Sequence, residues 1–77
     1  MNKQRRKAID AIASQFEAIK DELERLRDEE QEYLDNMPES FQQGEKGEKA
    51  EEVISQLDEA ISNIEAAFDA CQNATAE

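Results

Sequence analysis

Histidine and tryptophan are absent from this 77-residue sequence, which has one cysteine, one proline and two glycines. Without histidine, the chain cannot build a Cys/His zinc site, a Ser-His-Asp triad or a Cys-His nucleophile pair. The single cysteine, Cys71, excludes an internal disulfide. Apolar runs are shorter than the roughly 20 residues of a membrane helix, and the N-terminal segment lacks the apolar stretch of a secretory signal. The sequence therefore predicts no enzymatic activity, no catalytic residues, no metal or other cofactor, no membrane contact and a cytoplasmic location.

Positive charge is also scarce. Nine Lys and Arg residues stand against 20 Asp and Glu residues, which gives a net charge of −11. A surface this negative repels nucleic acid and anionic membranes, so we expect no direct nucleic-acid binding. The partners that this charge allows are proteins with basic surfaces, cations, or copies of the same chain joined through apolar faces.

Two long amphipathic helices are predicted, one over residues 4–36 and one over 48–73. The connector 37–47 contains Gly44 and Gly47, whose conformational freedom would let the chain reverse. We expect Phe41 in the connector to fold back on the end of the first helix. Apolar side chains recur at steps of three and four in both helices. In the first helix they are Ile9, Ile12, Phe16, Ile19, Leu23, Leu26, Tyr33 and Met37, and in the second Ala50, Ile54, Leu57, Ile61, Ile64, Phe68 and Cys71.

The expected fold class is all-α, with a single domain over 1–77 that forms an antiparallel, coiled-coil-like two-helix hairpin. Pairing outward from the turn places Phe16 near Phe68 and Leu26 near Leu57. A second apolar line in the second helix, Val53, Ala60, Ala67 and Ala74, makes its apolar face wider than one partner helix can cover. We therefore expect a homodimer that forms a four-helix bundle, or a larger ring of hairpins. The alternative is a monomeric hairpin that becomes ordered on a target.

Glu30 interrupts the apolar series of the first helix. A carboxylate at a core position could fix the register or oligomeric state, with Gln31, Ser55, Gln56 or a neighbouring subunit as its hydrogen-bond partner. An ideal helix also drifts by about 20° per heptad, which would place Glu30 at the rim of the interface. Contact with a ligand or another protein is the third interpretation, and the sequence leaves all three open.

The candidate partner-binding residues are acidic. Acidic neighbours four residues apart on a helix are about 6 Å apart, close to the phosphate repeat along one DNA strand. A row of this kind could mimic DNA and occupy the basic groove of a DNA-binding protein. The alternative is a solvated face that keeps a small bundle soluble. The residues in question are Asp21, Glu24, Asp28, Glu30, Glu32 and Asp35.

The basic N-terminal residues Lys3, Arg5, Arg6 and Lys7 form a second candidate site. In a ring of hairpins they could converge and bind the phosphates of a nucleotide signal. In an antiparallel hairpin they could instead neutralise Asp69 and the C-terminal carboxylate, which would lie beside them.

One stretch is distinctive enough to suggest a family. It is Glu29-Glu30-Gln31-Glu32-Tyr33-Leu34-Asp35-Asn36-Met37-Pro38-Glu39-Ser40, followed by Gly44-Glu45-Lys46-Gly47-Glu48-Lys49-Ala50-Glu51-Glu52 and by Leu57 and Ala60-Ile61 in the second helix. Over roughly residues 22–68 the chain resembles small acidic helical proteins encoded by bacteriophages. The resemblance implies a phage or prophage accessory protein that acts in the host cytoplasm and binds and inhibits a host protein, such as a defence component. It brings no catalytic or ligand residues. The alternatives are an oligomeric sponge for a nucleotide signal and a structural assembly protein.

Overall fold

The computed structural model describes residues 1–76, and within that range it contains three helices and no strand. They are α1 (Lys3–Asp35), α2 (Glu39–Gln42) and α3 (Glu45–Thr75). Salt bridges join Lys20 to Glu65 at 3.8 Å and Arg27 to Asp58 at 3.5 Å, so α1 and α3 run antiparallel. The molecule measures 58 × 14 × 13 Å, which makes it a rod two helices thick. The predicted all-α hairpin is confirmed.

The start of α1 is capped. The Asn2 side chain accepts a hydrogen bond of 2.8 Å from the backbone N–H of Arg5, and the Asn2 carbonyl accepts one from Arg6. Asparagine is among the preferred residues at this position because its oxygen satisfies an N–H that has no partner within the helix. The cap extends the helix to Lys3, one residue before the predicted start, although the cations of the first turn oppose the helix dipole.

The turn between the long helices is closed by Gln42. Its side-chain amide donates to the carbonyl oxygens of Leu34 and Met37, each at 3.0 Å, and lies 3.4 Å from that of Asp35. The last carbonyls of a helix lack the usual partner within the helix. The Leu34 carbonyl also accepts from the Met37 N–H at 3.1 Å, so the Gln42 amide is its second donor, whereas the Met37 carbonyl accepts from Gln42 alone within residues 1–76. The connector is correspondingly shorter than predicted, and α3 begins at Glu45 rather than Glu48.

Gly47 lies inside α3, not in the connector, and the interpretation that its flexibility reverses the chain was wrong. Neither Gly44 nor Gly47 has a positive φ. Gly47 is buried because the backbone of Gln42 packs directly on its Cα, and a Cβ at this position would overlap the Gln42 carbonyl. The turn therefore requires glycine at position 47 because a side chain would not fit there, and not because the backbone conformation is unusual.

The strip of α1 that contacts α3 differs from the predicted seam. Ile9, Phe16 and Leu23 are half-buried as expected, and Ala13 is buried. The other half of the seam is wrong, because these side chains remain exposed: Ile12 at 47%, Ile19 at 45%, Leu26 at 45% and Tyr33 at 52%. Their places against α3 are taken by residues one position further along, including Lys20 and Arg27, whose aliphatic stems can pack while their charged ends reach water or a carboxylate.

The apolar series of α3 is confirmed as its inner face. Ala50 is 1% and Ile61 8% exposed, and the remaining members from Ile54 to Cys71 are half-buried. Phe16 and Phe68 line the same groove, which bears out their predicted pairing. Within residues 1–76, only Ala13, Ala50 and Ile61 count as buried hydrophobic side chains, so the core is thin.

Phe41 folds back towards the end of α1 as predicted, but it fills little space there. It lines a shallow hollow with Tyr33 and Met37, and the Nζ of Lys46 lies 5.3 Å from the centre of its ring. However, 50% of Phe41 is exposed. The end of the hairpin is filled instead by the contact between Gln42 and Gly47.

Candidate interaction faces

The hairpin has two unlike side faces, one on each flank of the contact between α1 and α3. Successive helical residues are rotated by about 100°, so residues two positions apart lie on nearly opposite sides. Ile19 and Asp21 are such a pair, and so are Leu26 and Asp28. We define the acidic face as Glu17, Asp21, Glu24 and Asp28 of α1 with Asp58, Glu65 and Asp69 of α3. We define the apolar face as Ile12, Ile19, Leu26 and Tyr33 of α1 with Val53, Ala60, Ala67 and Ala74 of α3.

Two cations of the contact strip reach onto the acidic face. The Nζ of Lys20 lies 3.9 Å from Glu24 and 3.8 Å from Glu65. The Nε of Arg27 lies 3.4 Å from Asp28 and 3.5 Å from Asp58, and neither contact has hydrogen-bond geometry. Each cation therefore lies between a carboxylate of its own helix and one of the other helix. The acidic face keeps an excess of negative charge after this pairing.

A groove opens on the acidic face between the two helices. It has a volume of about 320 Å³, with Phe16, Ile64 and Phe68 at its base and charged groups at its edges. Its edge residues include Glu17, Lys20 and Asp69. This position of Asp69 contradicts the expectation that it lies beside Lys3 to Lys7, because Phe16 is nine residues, or about 14 Å of helix, beyond Lys7. The C-terminal carboxylate, the other expected neighbour, lies outside the described residues.

The structure does not bring the six predicted partner-binding carboxylates together. Asp21 and Asp28 lie on the acidic face, Asp35 continues their seven-residue spacing, and Gln31 donates to Asp35 at 3.0 Å. Glu24 is half-buried and paired with Lys20. Glu32 is exposed towards the outer side of α1, away from α3. Sequence reasoning missed the carboxylates of α3, whose place beside α1 depends on the hairpin register.

Glu30 lies apart from the acidic face. It follows Leu23 by seven residues and therefore continues the strip that contacts α3, at the edge of the strip beside Leu26 and Tyr33 of the apolar face. It is half-buried, and no hydrogen bond or salt bridge joins its carboxylate to another residue of the range 1–76. Gln31, one of its expected partners, bonds Asp35 instead.

The four N-terminal cations do not form a single patch within one chain. Lys3, Arg5 and Lys7 are exposed and Arg6 is half-buried. Lys3 and Lys7 are four residues apart and lie on the same side of α1, with Arg6 beside them, whereas Arg5 is rotated by about 200° from Lys3 and points to another side. A phosphate that contacts all four cations would therefore need the Arg5 of another copy of the chain.

The apolar face is ordered in levels. The salt bridge between Lys20 and Glu65 sets a register in which Ile19 lies level with Ala67, within one residue. The same register applied along the hairpin places a large side chain of α1 beside a small one of α3 at each level. The four pairs are Ile12 with Ala74, Ile19 with Ala67, Leu26 with Ala60, and Tyr33 with Val53.

The interhelical ion pairs give a first prediction about stability. Replacing Arg27 with Met should change the free energy of unfolding by less than about 1 kcal/mol, because partly exposed ion pairs contribute little and Met keeps an apolar stem. Replacing Arg27 with Ser removes the stem and should cost about 1 kcal/mol more. Urea unfolding followed by circular dichroism would measure both. Equal losses for the two variants would show that the charge, not the stem, stabilises the hairpin.

Comparisons with known proteins give no relative: no family model, curated protein or solved structure matches the chain. Among the helices of residues 1–76, none is both long and apolar enough to cross a membrane. In the same range there is no group of three or more Cys, Asp or Glu side chains placed to hold a metal ion.

Proposed function

We propose that this chain is a non-enzymatic binding protein, of the kind that phages use as accessory proteins, and that it binds and inhibits a host protein through the acidic face. The observation that carries the proposal is the separation of its two faces. Asp21 and Asp28 project from one flank of α1, whereas Ile19 and Leu26 project from the other. A partner with a basic groove can therefore bind along the acidic face without contacting apolar side chains.

The negative charge of the acidic face is complementary to the basic groove of a partner protein that normally binds DNA. Asp21, Asp28 and Asp35 repeat along α1 at intervals of about 10.5 Å, and the acidic groups of α3 form a second row beside them. Two parallel rows of negative charge resemble the outline of a nucleic-acid backbone, and their field would attract a basic groove over distances comparable to the Debye length. DNA mimicry is therefore the mode of inhibition that we propose.

The sequence of the turn supports the phage part of the proposal. Residues 29–40, which carry the resemblance to phage proteins, form the end of α1, the turn and the beginning of α2. A protein of this class would act in the cytoplasm of the host. We further propose that the hairpin self-associates, because one chain leaves four large apolar side chains of α1 about half exposed.

Charge reversal on the acidic face tests the binding proposal. Immobilised chain would be incubated with the heparin-binding fraction of a bacterial extract, and proteins released by a duplex DNA competitor would be identified. We expect the native chain to retain at least one DNA-binding protein and the double variant Asp21→Lys, Asp28→Lys to lose it. Retention should also weaken steeply as salt is raised, because the attraction is electrostatic.

A matched control distinguishes the effect of where the charge is reversed from the effect of the change in net charge. The double variant Glu52→Lys, Glu59→Lys has the same spacing and the same change of net charge, but it lies on the outer side of α3, where both residues are exposed. It should retain the partner. Equal loss of binding in both double variants, or no DNA-displaceable partner for the native chain, would contradict binding through the acidic face.

The nucleotide-sponge alternative predicts that binding depends on the basic N-terminal residues and not on the acidic face. Replacing Lys3, Arg5, Arg6 and Lys7 with Ser should leave partner retention unchanged if the acidic face is the contact. If this variant loses binding of a fluorescent cyclic dinucleotide that the native chain binds, the sponge interpretation is correct. A purely structural assembly protein would bind neither probe, and its assembly would respond little to salt.

A further inference from the structure

The chain exposes more surface than a protein of its size normally does. Its accessible surface is 5705 Å², about 900 Å² more than expected for a compact chain of this mass. The radius of gyration is 17.4 Å, against about 11.5 Å for a compact domain of this length. The excess is close to the 800 Å² or so that one partner contributes to a stable protein interface. A second copy of the hairpin would cover an area of this size.

The apolar face is the surface that such a copy would cover. Exposed apolar side chains are normal singly, but here four large ones recur every seven residues along one flank, so they form a continuous row. The level-by-level pairing described above makes this row a ridge on α1. Ala60 and Ala67 form a shallower track beside it on α3. With Val53 and Ala74 at its two ends, this track has the same length and the same seven-residue spacing as the ridge. The ridge of one copy can therefore pack on the track of a second copy.

We propose that two copies dock through their apolar faces about a twofold axis parallel to the helices. This rotation places α1 of one copy against α3 of the other and leaves the level of every residue unchanged. The Ile19 and Leu26 side chains of each copy then lie over the small Ala67 and Ala60 of the other. All four neighbouring helix pairs are antiparallel, and each layer alternates large and small side chains, as well-packed bundles do.

The charges beside the apolar face favour this arrangement over its alternative. On α3 the face is flanked by neutral groups, Gln56 and Asn63, and on α1 by Glu22 and Glu29. The proposed axis places each of these glutamates opposite one of the neutral groups of the other copy. A twofold axis across the helices would place α1 against α1 and bring the Glu22 carboxylates of the two copies together. Like charges that face one another across an interface destabilise it.

Glu30 is the carboxylate that the proposed bundle covers. It lies beside Leu26 and Tyr33 and is half-buried without a hydrogen-bond or salt-bridge partner among residues 1–76, so a second copy would bury it further. The nearest polar group at its level in the second copy is Gln56, whose amide can donate to a carboxylate. Covering a charge costs more than one such hydrogen bond returns, so Glu30 weakens the dimer while restricting its register.

The inference rests on the self-association proposed above and specifies its surface. Its test is the mass in solution over a series of concentrations, measured by light scattering and sedimentation. We expect the native chain to reach twice the chain mass. The variant Ile19→Lys, Leu26→Lys should weaken dimerisation at least tenfold, or about 1.4 kcal/mol. The control Ala11→Lys, Ala18→Lys adds the same charge to the outer side of α1 and should still dimerise.

Two further variants test the orientation of the copies. Ala60→Leu with Ala67→Leu adds apolar area but places large side chains under the ridge of the other copy, so it should weaken the proposed dimer. If α3 packed on α3 instead, the same change would fill a gap and strengthen it. Glu30→Leu should tighten the dimer severalfold by removing the covered charge. All variants keep good helix-forming residues, and circular dichroism would verify that they fold.

The outcomes separate the two proposals. A native chain that stays monomeric at every concentration would overturn self-association altogether. A native dimer that Ile19→Lys, Leu26→Lys leaves intact would overturn only the apolar face as its surface. Tighter association of the Ala60→Leu, Ala67→Leu variant, weaker association of Glu30→Leu, or a closed oligomer larger than a dimer would overturn the axis proposed here. None of these measurements depends on a host partner.

Discussion

Replacing Gly47 with Ala should destabilise the hairpin by about 2–3 kcal/mol. Helix propensity alone predicts the opposite sign, because Ala is about 1 kcal/mol more favourable than Gly inside a helix. The new Cβ, however, would overlap the backbone carbonyl of Gln42, and a backbone atom cannot move aside as a flexible side chain can. The turn would have to leave α3, and the hydrogen bonds from Gln42 to the end of α1 would be lost with it. Urea unfolding would measure the change.

Gly44 supplies the control for this prediction. A Cβ there would lie 3.4 Å from the carbonyl oxygen of Ser40, which is ordinary contact, and its φ of −101° is open to any residue. Gly44→Ser also places a hydroxyl at the N-cap of α3, where Gly gives no side-chain hydrogen bond. This variant should be neutral or more stable by a few tenths of a kcal/mol. A gain of stability in Gly47→Ala would show that the turn is not held against α3.

The two glycines illustrate what periodicity can and cannot predict. The helices followed from apolar side chains at steps of three and four, because this repeat is visible in the sequence and reflects local preferences. The role of Gly47 did not follow, because it depends on the approach of a backbone segment five residues earlier. A glycine in a connector and a glycine under a close contact look alike in sequence. Only the packing of the turn distinguishes them.

The error in the seam has a related cause. The apolar sector of α1 is wider than the strip that one neighbouring helix can cover, so periodicity identified the sector but not the part of it that faces α3. Ala13 and Lys20 would not be chosen as contact residues on hydrophobicity alone. Ala13 fits because it is small, and Lys20 because its stem packs while its Nζ reaches Glu65. The exposed remainder, from Ile12 to Tyr33, is the apolar face.

The candidate faces were predictable only in part. The acidic residues of α1 are apparent from their spacing, and their position opposite Ile19 and Leu26 follows from the helical repeat. The contribution of Asp58 and Glu65 depends on the register of the hairpin, which the predicted connector 37–47 left free by several residues. The start of α1, by contrast, could have been predicted one residue earlier, because asparagine ahead of a helical segment is a common N-cap and Asn2 is in that position.

Replacing Gln42 with Glu should also destabilise the hairpin, by about 2–3 kcal/mol. The native amide nitrogen donates to carbonyl oxygens of Leu34 and Met37 at 3.0 Å. A glutamate side chain has nearly the same shape, but at neutral pH both of its oxygens only accept hydrogen bonds. It would bring a negative charge to the negative end of the α1 dipole. It would also remove the side-chain donor from both carbonyls, of which that of Leu34 keeps the Met37 N–H and that of Met37 keeps no hydrogen bond within residues 1–76. Thermal and urea unfolding, followed by circular dichroism, would measure the loss.

The neighbouring residue provides the matched control, because Gln43→Glu makes the same chemical change one position along. Gln43 is exposed, and its side chain lies 3.5 Å from Glu39, not against the end of α1. A second carboxylate four residues from Glu39 should cost only about 0.2–0.5 kcal/mol. Lowering the pH until the carboxylate introduced by Gln42→Glu is protonated should recover part of that variant's loss, because a neutral carboxyl group can donate one hydrogen bond. Equal effects of the two substitutions would mean that net charge determines the stability of the turn, and not the hydrogen bonds from Gln42 to the carbonyls of Leu34 and Met37.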